Sequence, residues 1–453
     1  MHRVSWILGA LLLLPLGVQA QTTAPDEHEQ ELRDLRARVQ KLEQLVEEMR
    51  AEKESRDGSP AGQPSDGQPQ AASLLESTKA DPAGRAALPD HPSPQVEISH
   101  DAESGHDMGG HEAESGRESG TFPSLHLRGF GNLNFSATND PTTTSGFTLG
   151  QFILHVASPI SRKVSVFGEI SFTAAPTSYT LDVERYLIRY DLNDYFKLSF
   201  GRYHTPINYW NTAYHHGLWL QTTIDRPEMI RFGGRFQPVH FVGMLAEGVV
   251  PSGPLGLGYN VGVGNGRAGS IARAGDSGDI NNGRAVVVSV FARPSSLNGL
   301  QVGGAVYHDE ITPVPALPGG PSFRELITSA HIVWTRGAPE FLTEFAHVRH
   351  ENELTLNVFN SQAAYVQFGY RLPGIARKWK PYCRYEWSNI SLSDPLFTVS
   401  DPTVAVRDLS GSTIGARYDI VSLAAFKVEY RHTARRPTDP VVNCLFLQTS
   451  FTF

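Results

Sequence analysis

Titratable side chains crowd one stretch of this 453-residue chain: Arg202, His204, His215, His216, Asp225, Arg226 and Glu228 fall within one short span. Imidazole, carboxylate and guanidinium groups can ligate metal, move protons, or present charge to a passing solute. Ligation asks for donors at fixed spacing, and tandem His215-His216 beside Asp225 and Glu228 has no fixed third ligand, so no metal is expected. Catalysis asks for a nucleophile within reach of a base. His126, His155, His331 and His347 are scattered on separate segments, so no catalytic residue and no enzymatic activity are assigned. The chain has no CxxCH or Cys/His metal spacing and no Gly-rich phosphate loop, and no cofactor is expected. Presenting charge is what remains. The same stretch carries Tyr209, Trp210, Tyr214, Leu218, Trp219 and Leu220. A loop that apolar carries its own core and should fold inside whatever surrounds it, with the seven charged or imidazole residues narrowing the space there.

The elements that must hold this loop read as strands. From Pro123 onward the chain consists of roughly ten-residue segments of alternating polarity separated by turns, the pattern of a transmembrane barrel. Sixteen such segments run from 124–136 to 442–453. The connections between them alternate between short turns and mostly long loops, including 204–240. After residue 20, no apolar run approaches the ~20 residues of a helical span. The expected fold is all-β: a 16-stranded antiparallel transmembrane β-barrel, preceded by a short coiled-coil helix and a disordered linker.

Several strands separate by face. Val366, Phe368 and Tyr370 oppose Tyr365, Gln367 and Arg371, and Phe426, Val428 and Tyr430 oppose Lys427, Glu429 and Arg431. A charged side chain facing lipid at mid-membrane costs ~2–4 kcal/mol, so the charged face must point into the lumen. That assigns Arg128, Arg189, Lys197, Arg371, Lys380, Arg384, Arg417, Lys427 and Arg431 to the inner wall, with Glu169, Glu344, Glu386, Asp419 and Glu429. Nine basic residues against five acidic ones lean mildly toward anions. Neighbours such as Arg384 with Glu386, or Lys427 with Glu429, could instead neutralise each other.

The first 122 residues differ in character. Residues 1–20 form a signal peptide, with Arg3 ahead of an apolar run and Val18-Gln19-Ala20 as the cleavage site. Residues 21–54 hold a periplasmic coiled coil, with Leu32, Val39 and Val46 at a and Leu35, Leu42 and Met49 at d. Residues 55–122 are a disordered acidic linker containing His100, His106 and His111. Residues 1–122 carry 11 Lys+Arg and 22 Asp+Glu, a balance of −11, whereas 123–453, the barrel, carries 28 and 25, a balance of +3. The one disordered arm is therefore acidic, and no nucleic-acid partner is expected.

Leu198-Ser-Phe-Gly-Arg-Tyr-His-Thr-Pro206, the aromatic loop after it, and Val239-His-Phe-Val-Gly-Met-Leu-Ala-Glu-Gly248 resemble the phosphate-selective porin family. The chain also stops on Phe453, as outer-membrane barrels commonly do, which by resemblance implies recognition by barrel-insertion machinery. The resemblance implies a water-filled diffusion channel, usually trimeric, with the third long loop as constriction. It does not carry phosphate selectivity across. Members with that selectivity line the pore with an Arg ladder and a Lys cluster, and this barrel region holds only Lys163, Lys197, Lys378, Lys380 and Lys427. The expectation is a homotrimeric porin in the bacterial outer membrane, in contact with its lipid and passing small hydrophilic solutes. The alternative is a barrel sheath or anchor scaffold for a periplasmic or electron-transfer partner.

Overall fold

The computed structural model describes residues 122–453 apart from 142, 176, 215, 232–234, 269–270, 273, 313–321, 399–405 and 436–438. The expected signal peptide, coiled coil and linker lie outside the described residues, as does His215.

Alternating polarity gives sixteen strands. They are β1 (His126–Thr138), β2 (Gly146–Pro159), β3 (Val164–Ala175), β4 (Ser178–Asn193), β5 (Phe196–His204), β6 (His240–Val250), β7 (Leu257–Asn265) and β8 (Ala285–Ala292). Then follow β9 (Leu300–Ile311), β10 (Phe323–Trp334), β11 (Pro339–Asn352), β12 (Val358–Tyr370), β13 (Trp379–Asn389), β14 (Leu409–Val421), β15 (Ala424–Ala434) and β16 (Val442–Thr452). Every strand pairs antiparallel with its neighbours in sequence, and β16 pairs with β1 from Phe130↔Thr452 to Thr138↔Cys444. Closure leaves no sheet edge, the condition under which a strand can lie in hydrocarbon.

The outer face is apolar: Leu133, Phe200, Val261, Val288, Val306, Val366, Phe368 and Ile414 are all exposed. On β12, Tyr365 and Gln367 point the other way and are buried, as period 2 requires. The inner face differs from expectation over five of its sixteen strands. Charges dominate inside β13–β16, but inside β8–β12 sit Val287, Tyr307, Ile327, Leu342, Val348 and Tyr365, all in one apolar cluster with the long loop. Apolar side chains on this wall, interleaved with buried charges such as Glu325 and Glu344, are stable because a loop covers them.

Short turns close one end, at 160–163, 194–195 and 422–423 for example, while 205–239, 266–284 and 390–408 lie at the other. The long loop spans 205–239, since His204 ends β5 and His240 begins β6. Loop 353–357 is short, because Asn352 Oδ1 accepts the N–H groups of Leu354 and Thr355 and tightens the turn. Cys383 on β13 and Cys444 on β16 are free thiols, on strands that are not neighbours.

Gly201, just before the loop, has φ +135°, and a Cβ there would lie 2.0 Å from the Tyr186 carbonyl oxygen. Gly201→Ala is expected to destabilise the barrel by about 1–3 kcal/mol, the range for a strained backbone position. The check is the urea midpoint of the refolded barrel followed by tryptophan fluorescence; an unshifted midpoint would remove Gly201 from the structural account.

Candidate functional site

The long loop enters the barrel because its side chains demand it. Trp210, in the short helix α1 (Tyr209–Ala213), is fully buried, with its ring 5.0 Å from that of Tyr214 and 5.9 Å from that of Tyr365 on β12. Ile207, Tyr209, Met229, Ile230 and Phe236 join the same cluster. Each large apolar side chain taken out of water contributes roughly 1.5–3 kcal/mol, which drives the loop onto the apolar side chains of β8–β12.

Burying a loop also buries its backbone, whose polar groups need partners. The far wall supplies them. Ser329 on β10 donates to the Ile207 carbonyl at 2.5 Å, and Glu344 on β11 accepts the Trp210 N–H at 2.6 Å. Arg417 on β14 donates to the carbonyls of Trp219 and Gln221 at 2.6 and 3.0 Å. Lys427 on β15 donates to those of Leu218 and Thr223 at 2.5 and 2.9 Å. Arg384 on β13 donates to that of Asp225 at 2.9 Å. Glu429 accepts the Ile224 N–H at 2.9 Å and Glu386 the Glu228 N–H at 3.1 Å. The loop leaves β5 and bonds to β10–β15 on the other side of the ring.

The remaining inner-wall residues form pairs. Arg431 bridges Asp225 at 3.0 Å and also Glu429, Lys380 meets Glu340 at 2.7 Å, and Asp419 takes both Arg371 at 2.6 Å and Arg417 at 2.8 Å. Arg189 meets Asp191 at 2.6 Å and Glu247 at 3.5 Å, with Lys197 in register opposite both acids. Arg384 pairs with Glu386, but Lys427 binds loop carbonyls rather than Glu429. Arg128 is exposed, with its Nε 3.4 Å from Thr452 Oγ1.

Arg202 pairs with Asp276 and lies 3.0 Å from His240 Nδ1. Glu228 pairs with Arg231 at 2.8 Å. Arg226 is buried. Partial burial pushes the Asp225 carboxyl up, but Arg431 and Arg231 outweigh it and hold it at about 2. Burial pulls Arg226 down to about 9 against the attraction of Asp225. Both groups stay charged at neutral pH. Beside the loop opens a cavity of about 600 Å³, lined by Glu228, Met229 and Arg231 and by Tyr365, Glu386 and Arg407 of the wall and outer loops.

Sequence reasoning missed several charged residues of the interior. Glu184, Arg185, Glu247, Glu325 and Glu340 are all buried there, so the excess of bases over acids shrinks. Arg267 of loop 266–284 pairs with Glu325 at 2.9 Å, and His350 lies 3.0 Å from Glu325 and 2.6 Å from Asp394 of loop 390–408. One buried network thus ties two outer loops to β10 and β11. A second gathers Glu169, His204 and His216, and His216 does not meet Asp225 or Glu228 as its sequence neighbourhood suggests. The signal for Glu184 and Glu340 was their place on strands, where facing inward keeps a carboxylate out of lipid.

No family model matches this sequence, and no match is found among curated proteins. Solved structures do match. An anion-selective porin from Comamonas acidovorans is similar with a TM-score of 0.53 at 10% identity, over 73% of this chain and 100% of that one. The loop L8 deletion mutant of OmpT, an outer membrane protein of Vibrio cholerae, gives 0.51 at 13%, over 73% and 99%. The fold is the sixteen-stranded porin fold. The in-vitro folded OmpT of Vibrio cholerae, in its trimer form, shares this porin fold with a TM-score of 0.50 at 12% identity, over 73% and 99%.

Proposed function

We propose that the protein is an outer-membrane diffusion channel for small hydrophilic solutes, narrowed by the inward loop. The observation that carries this reading is the loop itself, bonded along the charged inner face of a closed barrel whose outer face is apolar. A wall with charges suits water, and a loop across that lumen sets what passes. Of the residues named from the sequence, Asp225, Arg226 and Glu228 act where the loop meets Arg384 and Glu386 of the wall. Selectivity leans only slightly to anions, because most lumen charges are spent in pairs, while Arg128 is exposed and Arg231 stays largely exposed beside its partner Glu228. The short turns face the periplasm, and three copies assemble, as in the trimer form of OmpT. A sheath for a bulky electron-transfer partner fits poorly, since the loop already crosses the lumen from β5 to bond with β10–β15.

The test is single-channel conductance and KCl reversal potential of the refolded full-length protein in a planar bilayer. Steps in groups of three with a weakly anion-leaning reversal potential are expected. Folded, heat-modifiable protein that gives no steps would overturn the channel.

A further inference from the structure

The cluster around Glu169 is built from distant parts of the chain. His155 comes from β2, Glu169 from β3, His204 from the end of β5 and His216 from the long loop. Glu169 is fully buried and His204 and His216 nearly so. His216 Nδ1 lies 2.9 Å and His155 Nε2 3.1 Å from Glu169 Oε1, and His204 Nε2 lies 3.8 Å from Oε2. One donor atom each from Glu169, His204 and His216 falls within 4.8 Å of the others. Tetrahedral bonds of 2.0–2.1 Å place ligand atoms about 3.3 Å apart, a spacing these separations bracket.

The surroundings match a metal centre as well. A ligating imidazole usually presents its second nitrogen to a carboxylate, which fixes the ring. His216 Nε2 lies 3.4 Å from Glu184 Oε1, and Glu184 is itself held by Ser171 at 2.9 Å and by His240 at 2.9 Å. Arg185 pairs with Glu169 on Oε2, leaving Oε1 as the oxygen that faces His155 and His216. Its charge works against a dication, and the two buried carboxylates oppose it.

The geometry points to a site for one divalent late transition-metal ion, Zn²⁺ foremost, held by Glu169, His204, His216 and His155. An imidazole-rich set with one carboxylate suits such an ion and not Mg²⁺ or Ca²⁺, which take oxygen. Three ligands stand on the wall and His216 stands on the loop, so the ion would staple the loop to the wall beside β5. The sequence alone gave no expectation of a metal here, and the site stands independently of the channel reading.

The experiment uses the full-length protein, refolded and stripped with chelator, with His91, His100, His106 and His111 changed to Gln so that the linker imidazoles cannot compete. Titration with Co²⁺ should give one equivalent bound with the strong visible absorption of four-coordinate cobalt, displaced by Zn²⁺. His216→Ala and His204→Gln should each weaken binding at least about tenfold, the effect of damaging a ligand shell. In the unsubstituted protein, one equivalent of Zn²⁺ should raise the temperature at which the folded band is lost on gels, a readout independent of whether any variant folds. Absence of stoichiometric binding, or binding unchanged in His216→Ala and His204→Gln, would overturn the site and leave a network of imidazole–carboxylate hydrogen bonds.

Discussion

Excising residues 207–222 is expected to raise single-channel conductance more than any point substitution in the protein. That segment holds α1 and the Trp210–Tyr214 pair, and its backbone takes the hydrogen bonds of Ser329, Glu344, Arg417 and Lys427 across the lumen. Its removal uncovers the apolar inner wall of β8–β12 to water, so the barrel should lose stability while gaining open area. The two readouts must be taken together. Retained heat-modifiability shows that the strands still close, and conductance then reports the opening. Unchanged conductance from closed barrels would remove the loop as a constriction.

Arg267→Met should be the most damaging single change to the outer-loop network, at about 3–5 kcal/mol, because breaking a buried ion pair leaves an uncompensated charge. Arg267 holds Glu325, accepts no solvent screening, and also donates to the carbonyls of Arg235 at 3.0 Å and Phe236 at 3.2 Å. Its loss therefore frees loop 266–284 and the end of the long loop at once. Protease susceptibility of these loops in intact proteoliposomes should rise, and the denaturant midpoint of the barrel should fall. The double variant Arg267→Met/Glu325→Gln should recover part of the stability, since the stranded carboxylate is gone. A midpoint within error of the parent would mean that the pair only decorates the wall.

The barrel was legible in the sequence because alternation is a local signal. Polar residues such as Lys427, Glu429 and Arg431 stand opposite Phe426, Val428 and Tyr430, and no other arrangement keeps those charges out of lipid. On β8 the contrast vanishes. Ala285-Val-Val-Val-Ser-Val-Phe-Ala292 is apolar on both faces, so nothing in it tells that Val287 faces inward against the loop. The loop's inward path was legible from its aromatics, which have nowhere else to go. Its partners were not, because Lys427 and Leu218 stand 209 positions apart and only barrel closure brings them together. The cluster of His155, Glu169, His204 and His216 stayed hidden for the same reason. Its members look like isolated polar positions on four separate elements, and tandem His215-His216 drew attention to the wrong neighbours.

The wall grips the loop largely by its backbone. Arg384, Arg417 and Lys427 reach the carbonyls of residues 218, 219, 221, 223 and 225, whatever side chains those residues bear. A carbonyl survives almost any replacement, so this segment can be rewritten without unfastening it. Leu218 or Trp219 could become polar, basic or smaller while the anchoring cations keep the same acceptors. The scaffold thereby separates holding the loop from choosing the solute, and new permeation preferences can be reached, by drift or by engineering, one side chain at a time.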